Sequence, residues 1–439
     1  SRFMRRFMTQ EMNLEKEDMY QIDGPLDMTV FFGFCGIKGY NHLRYPEAHP
    51  HSPWSMLELK RTPETNIFDM IREKDLLIHL PYESFDESVV NFLYSAANDK
   101  DVLAIKQTLY RVSSSSPVVQ ALEKAVQNGK QVTVLMEVKA RFDEANNILM
   151  ARRLEKAGAH VIYGLVGLKT HSKCTLVIRR EKDGIRRYVH VATGNYNAST
   201  AKLYTDLGIL TCNDRFGIDA SAFFNLLSGY SDPPIWDSFI VAPINLRQRC
   251  IELIDREIHF AKNGEDAHMI AKMNSLLDKG IIEKLYEASQ AGVKIELIVR
   301  GICVLIPGIP GISDNITVRS IVGRFLEHSR IFWFRNGGRE ELYISSADWM
   351  PRNLNDRVEL MVPIEDPEIK RRLKQMVDIE LSDNQKAHIM QADGTWLKTI
   401  SAENQLCAQE YFQKIAEKRD AEDEMTLAQK LEPYTPVLG

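Results

Sequence analysis

The chain has 439 residues, more than one hydrophobic core usually organises, so we expect two or three domains. Hydrophobic residues make up 44% of the chain and charged residues 26%, as in an ordinary soluble globular protein, and no run of about 18 uncharged apolar residues predicts a membrane span. The net charge of -5 conceals a basic segment from Lys100 to Lys202, with 18 Lys and Arg against 8 Asp and Glu, which indicates either a polyanion partner or a solvated basic face.

Residues 1–57 show no clear period of apolar residues, and we interpret them as the remnant of a preceding helical head domain. The sequence starts with a basic stretch that lacks an initial Met and the apolar core of a signal peptide, so we expect a fragment of a longer protein. His49 and His51 lie in an HPHS stretch, with His42 nearby. No cysteine or carboxylate set completes a metal site there, so an exposed polar loop is the favoured interpretation.

Strand and helix patterns alternate after residue 100. The apolar run DVLAIKQTLYRV predicts a buried strand, and SPVVQALEKAVQNGK has helical spacing with a stop at Gly129. QVTVLMEVKARF predicts the next strand, NNILMARRLEKAGA a helix that ends at Gly158, and HVIYGL a third strand. Alternation at these lengths predicts an α/β domain with a largely parallel sheet.

The same order of elements returns in the second half of the chain. EKAVQNGKQVTVLMEVKAR matches YEASQAGVKIELIVRG, and GLKTHSKCTLVIRR matches RFLEHSRIFWFRNGG. We therefore predict two duplicated α/β domains at residues 58–238 and 239–405, separated near the turn-rich SGYSDPPIW, with the active site between them. Residues 406–439 are polar and charged, and we expect a C-terminal tail that is helical or mobile.

Each half carries a histidine two residues before a cation. His171 and Lys173 lie in a predicted strand, whose alternation places both side chains on one face, and His328 and Arg330 form the matching pair. A neutral imidazole is a good nucleophile toward phosphorus, and a neighbouring cation offsets phosphate charge. One such pair is more often structural than catalytic. Two pairs brought to one interface favour a nucleophile beside a proton carrier.

Arginines lie at the ends of the predicted strands, where α/β sheets usually bind ligands. Guanidinium groups bind phosphate oxygens bidentately, and phosphoryl transfer depends mainly on such positioning. Singly, each arginine is more often an ion-pair or surface residue, but as a set they favour function. Asp206 and Glu359 occupy matched positions, where they orient a histidine, hold magnesium or pair with a cation. The arginines of this set are Arg111, Arg141, Arg300 and Arg357.

Seven segments closely resemble the large, histidine-phosphorylating bacterial polyphosphate kinase family, over about residues 58–385: AIKQTLYRV, GKQVTVLMEVKARFDEANN, GLKTHSK, TGNYNASTAKLYTDLG, LIVRGICVLIPGIPGISDNI, EHSRI and YISSADWMPRN. The resemblance implies a duplicated phospholipase D-like fold. It also implies reversible transfer of the terminal phosphate of ATP to a polyphosphate chain through a phosphohistidine.

The same resemblance implies roles for individual residues. His171 would be the phosphorylated nucleophile, and His328 the second catalytic histidine, which acts as acid or base at the nucleotide. Tyr204 would stack on the adenine. ATP phosphates would be held by Arg300, Lys173, His328 and Arg357, and the GIPGISDN loop would help to close the site. Magnesium is the expected cofactor, with Arg111 and Arg141 in its phosphate region; arginine does not ligate magnesium, so both would bind the bridging phosphates.

The main alternative is a phospholipase D-like phosphodiesterase or nuclease that uses His171 on a diester. Phospholipases D usually carry an Asp after the H-x-K pair, whereas this chain has Ile178 after the first pair and Phe334 and Arg335 after the second, which argues against lipid hydrolysis. A third reading is a polyphosphate-binding protein without catalysis, and the presence of both histidines weighs against it.

The expected partners are ATP or ADP and inorganic polyphosphate, with no nucleic acid and no transmembrane segment. Six scattered cysteines without a CxxC pair exclude a zinc framework or disulfide scaffold and indicate a reducing cytoplasm. We expect a cytoplasmic homo-oligomer, with peripheral association at the inner membrane left open.

Overall fold

The computed structural model describes residues 2–15, 18–19, 21–25, 27–57, 65–113, 115–138, 144–229 and 235–431, with side chains up to residue 419. The chain divides into two compact units, residues 1–48 and 49–439. Both predicted α/β halves therefore lie within the second unit. The limits predicted for the two halves and for the head remnant stay predictions.

In its described residues, the first unit contains one α-helix and short 3-10 turns. Helix α1 spans Arg2–Glu11, and its Phe3 and Phe7 rings lie on one face with centroids 6.4 Å apart. The 3-10 turns span Thr29–Gly36 and Asn41–Leu43. None of the helical residues in these segments is buried.

The HPHS stretch begins the second unit and is tied to it through the main chain. The amide of His51 donates to Tyr82 at 2.8 Å, and the carbonyl of His51 accepts from Ser84 at 2.7 Å. Across the described residues, no group of three or more His, Cys, Asp or Glu side chains is placed to hold a metal ion. The stretch thus has a structural role at the edge of the second unit.

The first half of the second unit is a sheet with helices against it. Its strands follow the order β1-β8-β7-β6-β2-β3-β4. The helices are α2 (Ile67–Glu73), α3 (Asn91–Asn98, entered through a π-helical turn at Asp86–Val90), α4 (Pro117–Gln127), α5 (Glu144–Ala157) and α6 (Asp214–Leu227). The strands are β1 (Leu76–Leu80), β2 (Val102–Leu109), β3 (Gln131–Met136), β4 (His160–Tyr163), β5 (Lys169–Thr170), β6 (Cys174–Glu181), β7 (Gly184–Ala192) and β8 (Tyr204–Thr211).

The second half repeats this arrangement, and its sheet has the order β18-β17-β12-β11-β10-β14-β15-β16-β5, with β9 also paired to β16. Its helices are α7 (Leu246–Lys262), α8 (Lys279–Gln290), α9 (Pro351–Asn355), α10 (Pro367–Leu381) and α11 (Ala408–Leu431). Its strands are β9 (Ile240–Ala242), β10 (His268–Met273), β11 (Lys294–Val299), β12 (Ile316–Ile321), β13 (Leu326–Glu327), β14 (Ile331–Phe334), β15 (Glu341–Ser345), β16 (Arg357–Pro363), β17 (Ala387–Met390) and β18 (Trp396–Lys398).

The sheets are mixed, so the prediction of largely parallel sheets is wrong. Among the described strands that the first half contributes to its own sheet, β2, β3 and β4 pair in parallel, because helices α4 and α5 cross over between them. Strands β6 and β7 are joined by a tight turn at Gly184, which forces antiparallel pairing, and β8 and β1 continue that pattern. The run of parallel strands is thus limited to the segments that the helical crossovers connect.

Local sequence explains the helices that the periodicity predicts. In α4 the Ser116 hydroxyl accepts from the amide of Val119, and Pro117 opens the first turn. Its apolar face is buried, and Gly129 follows with a positive φ of 79°, which favours glycine after a helix end. Each half buries its own apolar cluster, represented by Leu93 in the first and Leu285 in the second.

Each half also lends a short strand to the other. Strand β5 pairs in parallel with β16, aligning Lys169 with Arg357, and β13 pairs in parallel with β8, aligning Leu326 with Tyr204. These two strands lead directly into the two histidine segments. The exchange explains why both halves form one compact unit.

The described part of the C-terminal segment forms the helix Ala408–Leu431, one of the two states that the sequence left open, and the first turns of this helix belong to the core. Gln409 and Phe412 of α11 are buried, and the Phe412 ring lies edge-on to His79 with centroids 5.2 Å apart. Within the described part of the chain, no helix combines the length and apolar character that a membrane span needs.

Candidate active site

His171 lies in a three-residue extended link between β5 and β6, not inside one strand as predicted. The amides of His171 and Ser172 both donate to the carbonyl of Val358 at 2.9 Å, because β5 pairs with β16 just before the link. His328 occupies the equivalent link between β13 and β14. Both histidines are therefore held at the seam between the halves.

The His171 ring is oriented by a carboxylate from the opposite half. Its Nδ1 lies 2.9 Å from either oxygen of Glu359, a residue with no exposed surface. The same carboxylate accepts from the Ser346 hydroxyl and, at 2.6 Å, from the Asn353 amide. Because Glu359 accepts, the Nδ1 of a neutral His171 carries the proton, and the Nε2 lone pair remains available.

His328 is oriented in the same way by the first half. Its Nδ1 lies 2.9 Å from both oxygens of Asp206, and the Thr193 hydroxyl donates to that carboxylate at 2.6 Å. The amide of His328 donates to the Thr205 hydroxyl at 3.2 Å. Asp206 and Glu359 therefore contact histidines, the first of the three interpretations that the sequence left open.

The cation of each pair folds back onto its own histidine segment. The ammonium of Lys173 donates to the carbonyl of His171, and Nη1 of Arg330 donates to the carbonyl of His328 at 2.6 Å. Arg330 is further held by Asp348, at 3.1 Å from its Nε. Both cations are buried, so their charge acts on the site with little screening by water.

Arg300 is fixed by an amide beside the second histidine. Both its Nε, at 3.0 Å, and its Nη2, at 2.7 Å, donate to the side-chain oxygen of Asn274. The Asn274 amide group donates in turn to Asp348 at 3.1 Å and to the His328 carbonyl at 3.2 Å. The predicted phosphate-binding Arg300 is thereby linked to His328 and Arg330.

Burial controls the protonation of the first histidine pair. Desolvation, followed by the charges of Lys173 and nearby arginines, holds the pKa of His171 well below its ordinary value, so the ring is neutral near pH 7. Burial also lowers the pKa of Lys173 to about 7, although Glu359 opposes the shift. It raises the pKa of Glu359. The arrangement suits a neutral nucleophile beside a cation that titrates near neutrality.

The second histidine, His328, lies against a carboxylate, Asp206, that stays ionised. Burial lowers the pKa of His328, and the Asp206 carboxylate opposes that shift. Burial alone would raise the pKa of Asp206, but the His328 ring and the Thr193 hydroxyl hold it below its ordinary value. An imidazole with a charged carboxylate behind it can take up and release a proton at its other nitrogen.

Two tyrosines flank the histidines. The Tyr204 ring, predicted to stack on adenine, lies 5.2 Å from the His328 ring between centroids. The Tyr110 ring stands edge-on to His171 at 4.8 Å, and the Lys173 ammonium lies 5.5 Å from its centroid. The sequence did not lead us to predict Tyr110 as a site residue, although it directly precedes Arg111 in the segment AIKQTLYRV.

Two of the other predicted arginines, Arg111 and Arg357, lie near His171. The Arg111 guanidinium lies 5.7 Å from the Tyr110 ring centroid, on the His171 side of the site. Arg357 begins β16, and its charge contributes to the low pKa of His171. Arg141 lies outside the described residues. The structure therefore gathers Arg111, Arg300 and Arg357 around the two histidines.

Further site residues come from the matched turns after β7 and β15. Thr193 and Ser346 are separated by the same 153 positions as Asp206 and Glu359, and each hydroxyl donates to the carboxylate of its own half. Aligning the two halves residue by residue could have found this signal. No such match between the two halves indicated Asn274 or Asp348 as a site residue.

The described residues do not form a magnesium cage. Asp206 and Glu359, the carboxylates that contact the two histidines, already accept from histidine and hydroxyl donors, and no group of three or more metal-ligating side chains is present in the described ranges. Arginine is not a ligand for magnesium. A magnesium ion would have to be held largely by oxygens that the substrates bring.

Comparison with known proteins places both halves in one family. Residues 66–233 match the family model described as "Polyphosphate kinase C-terminal domain 1", and residues 239–409 match "Polyphosphate kinase C-terminal domain 2". The chain is 55% identical to a polyphosphate kinase of Halalkalibacterium halodurans, over 86% of this chain and 53% of that protein. It is 49% identical to one of Thermosynechococcus vestitus, over 90% of this chain and 56% of that protein.

A solved structure of a polyphosphate kinase also matches the chain. The polyphosphate kinase of Porphyromonas gingivalis superposes with a TM-score of 0.83 at 34% identity, over 96% of this chain and 64% of that one. The predicted duplication of an α/β domain is confirmed by the two similar sheets and by this match, and the likeness to the phospholipase D fold stays a prediction. The chain spans about half the length of the curated relatives it matches.

Proposed function

Because the chain belongs to the polyphosphate kinase family, we propose that it transfers the terminal phosphate of ATP reversibly to polyphosphate through a phosphohistidine on His171. One observation carries the assignment: the buried His171 is held neutral, with Nδ1 on Glu359 and a cation beside it. A phosphodiesterase is not favoured, because the matching relatives and both family models are kinases.

The proposed first step is attack by Nε2 of His171 on the γ-phosphorus. The N–P bond forms as the bond from phosphorus to the bridging oxygen breaks, and ADP leaves with that electron pair. The Nδ1 proton stays in the hydrogen bond to Glu359, which stabilises the charge that develops on the ring. A terminal polyphosphate oxygen then attacks the same phosphorus, and the electron pair of the N–P bond returns to Nε2.

His328 is proposed to handle the proton at the nucleotide. Its Nδ1 is anchored on Asp206, so proton exchange with a phosphate oxygen would take place at Nε2, which in this structure accepts from Nη1 of Arg330 at 3.3 Å. Arg300 and Arg330 lie beside it, and Lys173 and Arg357 lie on the His171 side; together they would bind ATP phosphates and stabilise the transferring group. Tyr204 would stack on the adenine.

We further propose that magnesium enters with the nucleotide. Magnesium commonly keeps several waters and binds substrate phosphates, where it neutralises charge, so it needs no cage of protein ligands. Arg111 and Arg141 would bind the phosphates that bridge the ion. The proposed partners are ATP or ADP and inorganic polyphosphate, in a cytoplasmic homo-oligomer.

The test is covalent labelling of the 439-residue chain with γ-labelled ATP and magnesium. We expect an acid-labile, alkali-stable label on His171 that ADP or polyphosphate discharges. The His171→Ala variant should show no label, and the His328→Ala variant should retain slow labelling with a rate reduced by about 10²–10⁴-fold. Label on His328, on a Ser or on an Asp, or an unlabelled wild-type chain, would contradict the assignment.

A further inference from the structure

Gln409, in the first turn of α11, is bound to Phe325, directly before the short strand β13 that leads into His328. Its side chain is 2% exposed. The amide oxygen accepts from the main-chain N–H of Phe325 at 2.9 Å, and the amide nitrogen donates to the Phe325 carbonyl at 2.9 Å. This is the pair of hydrogen bonds that a neighbouring β-strand would make. At Phe325, the residue before β13, the Gln409 side chain thus takes the place of a neighbouring strand.

The same amide nitrogen also binds Glu327, the residue before His328, at 2.6 Å. The buried Glu327 carboxylate accepts from the Lys272 ammonium at 2.6 Å and from the Thr205 hydroxyl at 2.8 Å. Lys272 binds Glu380 of α10 as well. Groups from three separate elements, α11, β10 and β8, therefore hold the residue next to His328 in place.

The loop before β13 is shaped to admit the Gln409 side chain. A Cβ added to Gly323 would lie 2.8 Å from Cδ of Gln409, and closer still to its amide oxygen. Only glycine leaves the amide room to reach Phe325. This contact is independent of the hydrogen bonds and indicates the same placement.

We propose that Gln409 is a positioning residue for His328, so that helix α11 of the second half helps to complete the active site. Strand β13 has only two residues and two aligned pairs with β8, which leaves its register weakly determined. The Gln409 amide makes, just before β13, the two main-chain hydrogen bonds that a neighbouring strand would make. The consequence for catalysis rests on the proposed role of His328, whereas the placement of the ring does not.

The first test reads the ring position without using activity. In the chain labelled with ¹⁵N-histidine, the Nδ1–H signal of His328 is assigned by its absence from the His328→Ala variant. Gln409→Met keeps the side-chain length and removes the three hydrogen bonds, so this signal should be lost or broadened while that of His171 persists. Gln413→Met is the matched control, since Gln413 lies one turn further along α11 and its side-chain amide binds His51 and Glu417 instead. It should leave both signals unchanged.

The second test is a double-mutant cycle in the phosphoryl-transfer assay. Gln409→Met should lower kcat by about 10- to 10²-fold, as expected when a catalytic group is misplaced by about 1 Å. In the His328→Ala background the same substitution should cost less than about 2-fold, because the group that it positions is gone. Equal losses in both backgrounds would overturn the proposal in favour of a general structural role.

A further variant protects the test against a folding defect. Gly323→Ala displaces the Gln409 amide without changing α11 and should reproduce the loss of the His328 signal. If both variants lose cooperative thermal unfolding, or both keep the signal, the proposal is wrong. If the wild-type chain transfers no phosphate while the signal changes as expected, the proposed function fails and the positioning by Gln409 stands.

Discussion

Replacing Gly194 by Ala should disable His328 through a steric effect on Asp206. A Cβ on residue 194 would lie 2.7 Å from Cβ of Asp206 and closer still to its carboxylate. The matching position in the second half, by the common offset of 153, is Ala347, which is native and fully buried. The same small side chain is therefore native at the matched position of the second half and should be harmful beside Asp206.

The magnitude follows from the displacement. Ordinary Cβ contacts begin at about 3.4 Å, so Asp206 has to move by roughly 1 Å, which breaks at least one of its 2.9 Å contacts with His328. A hydrogen bond to a charged group contributes about 1.5–3 kcal/mol. Losing it should lower the rate by about 10- to 150-fold. Overpacking should also lower the free energy of unfolding by about 1–3 kcal/mol.

The assay compares kcat and thermal unfolding for Gly194→Ala and for Ala347→Gly. The control removes a methyl group at the matched position and should cost about 1 kcal/mol of stability or less, with little effect on kcat. The reasoning is refuted if Gly194→Ala keeps its rate within about 2-fold while unfolding cooperatively. It is equally refuted if the two variants lose rate by the same factor.

Two further predictions concern the nucleotide and pH. Tyr204→Ala should raise the apparent ATP constant by about 5- to 150-fold, the equivalent of about 1–3 kcal/mol of stacking, and leave polyphosphate binding nearly intact; equal loss of both would identify a core residue. Because burial lowers the pKa of His171 well below its ordinary value, the single-turnover labelling rate should not fall between about pH 8 and about pH 6.5 through protonation of the ring. Burial lowers the pKa of Lys173 to about 7, so its charge, and with it the labelling rate, should instead decline as the pH rises above about 7. A rate that declines toward acid in this range would contradict the assignment of a neutral nucleophile.

The repeat and the chemistry of the histidine segments were accessible from the sequence. Helical spacing in α4 and the apolar run of β2 reflect the fixed geometry of the backbone and the burial of one face, which are local properties. The match of His171 with His328 followed from the ordered similarity of the two halves. The position of Arg300 at a strand end followed from the same periodicity.

Strand direction was less accessible, because it depends on the connections. The apolar run of β6 would suit a parallel or an antiparallel neighbour equally well. Its pairing with β7 is decided by the short turn at Gly184, whereas the parallel pairing of β2 with β3 is decided by the helix between them.

The sequence by itself determined which residues are histidine, carboxylate and arginine, and that they recur in two similar halves. Only the tertiary structure decided that Glu359 binds the histidine 188 positions before it, that Asp206 binds the one 122 positions after it, and that Gln409 braces the strand before His328. The physical reason is that β5 and β13 each cross to the sheet of the other half. Such partners are chosen by long-range packing and by the need to satisfy buried polar groups, which local periodicity does not encode.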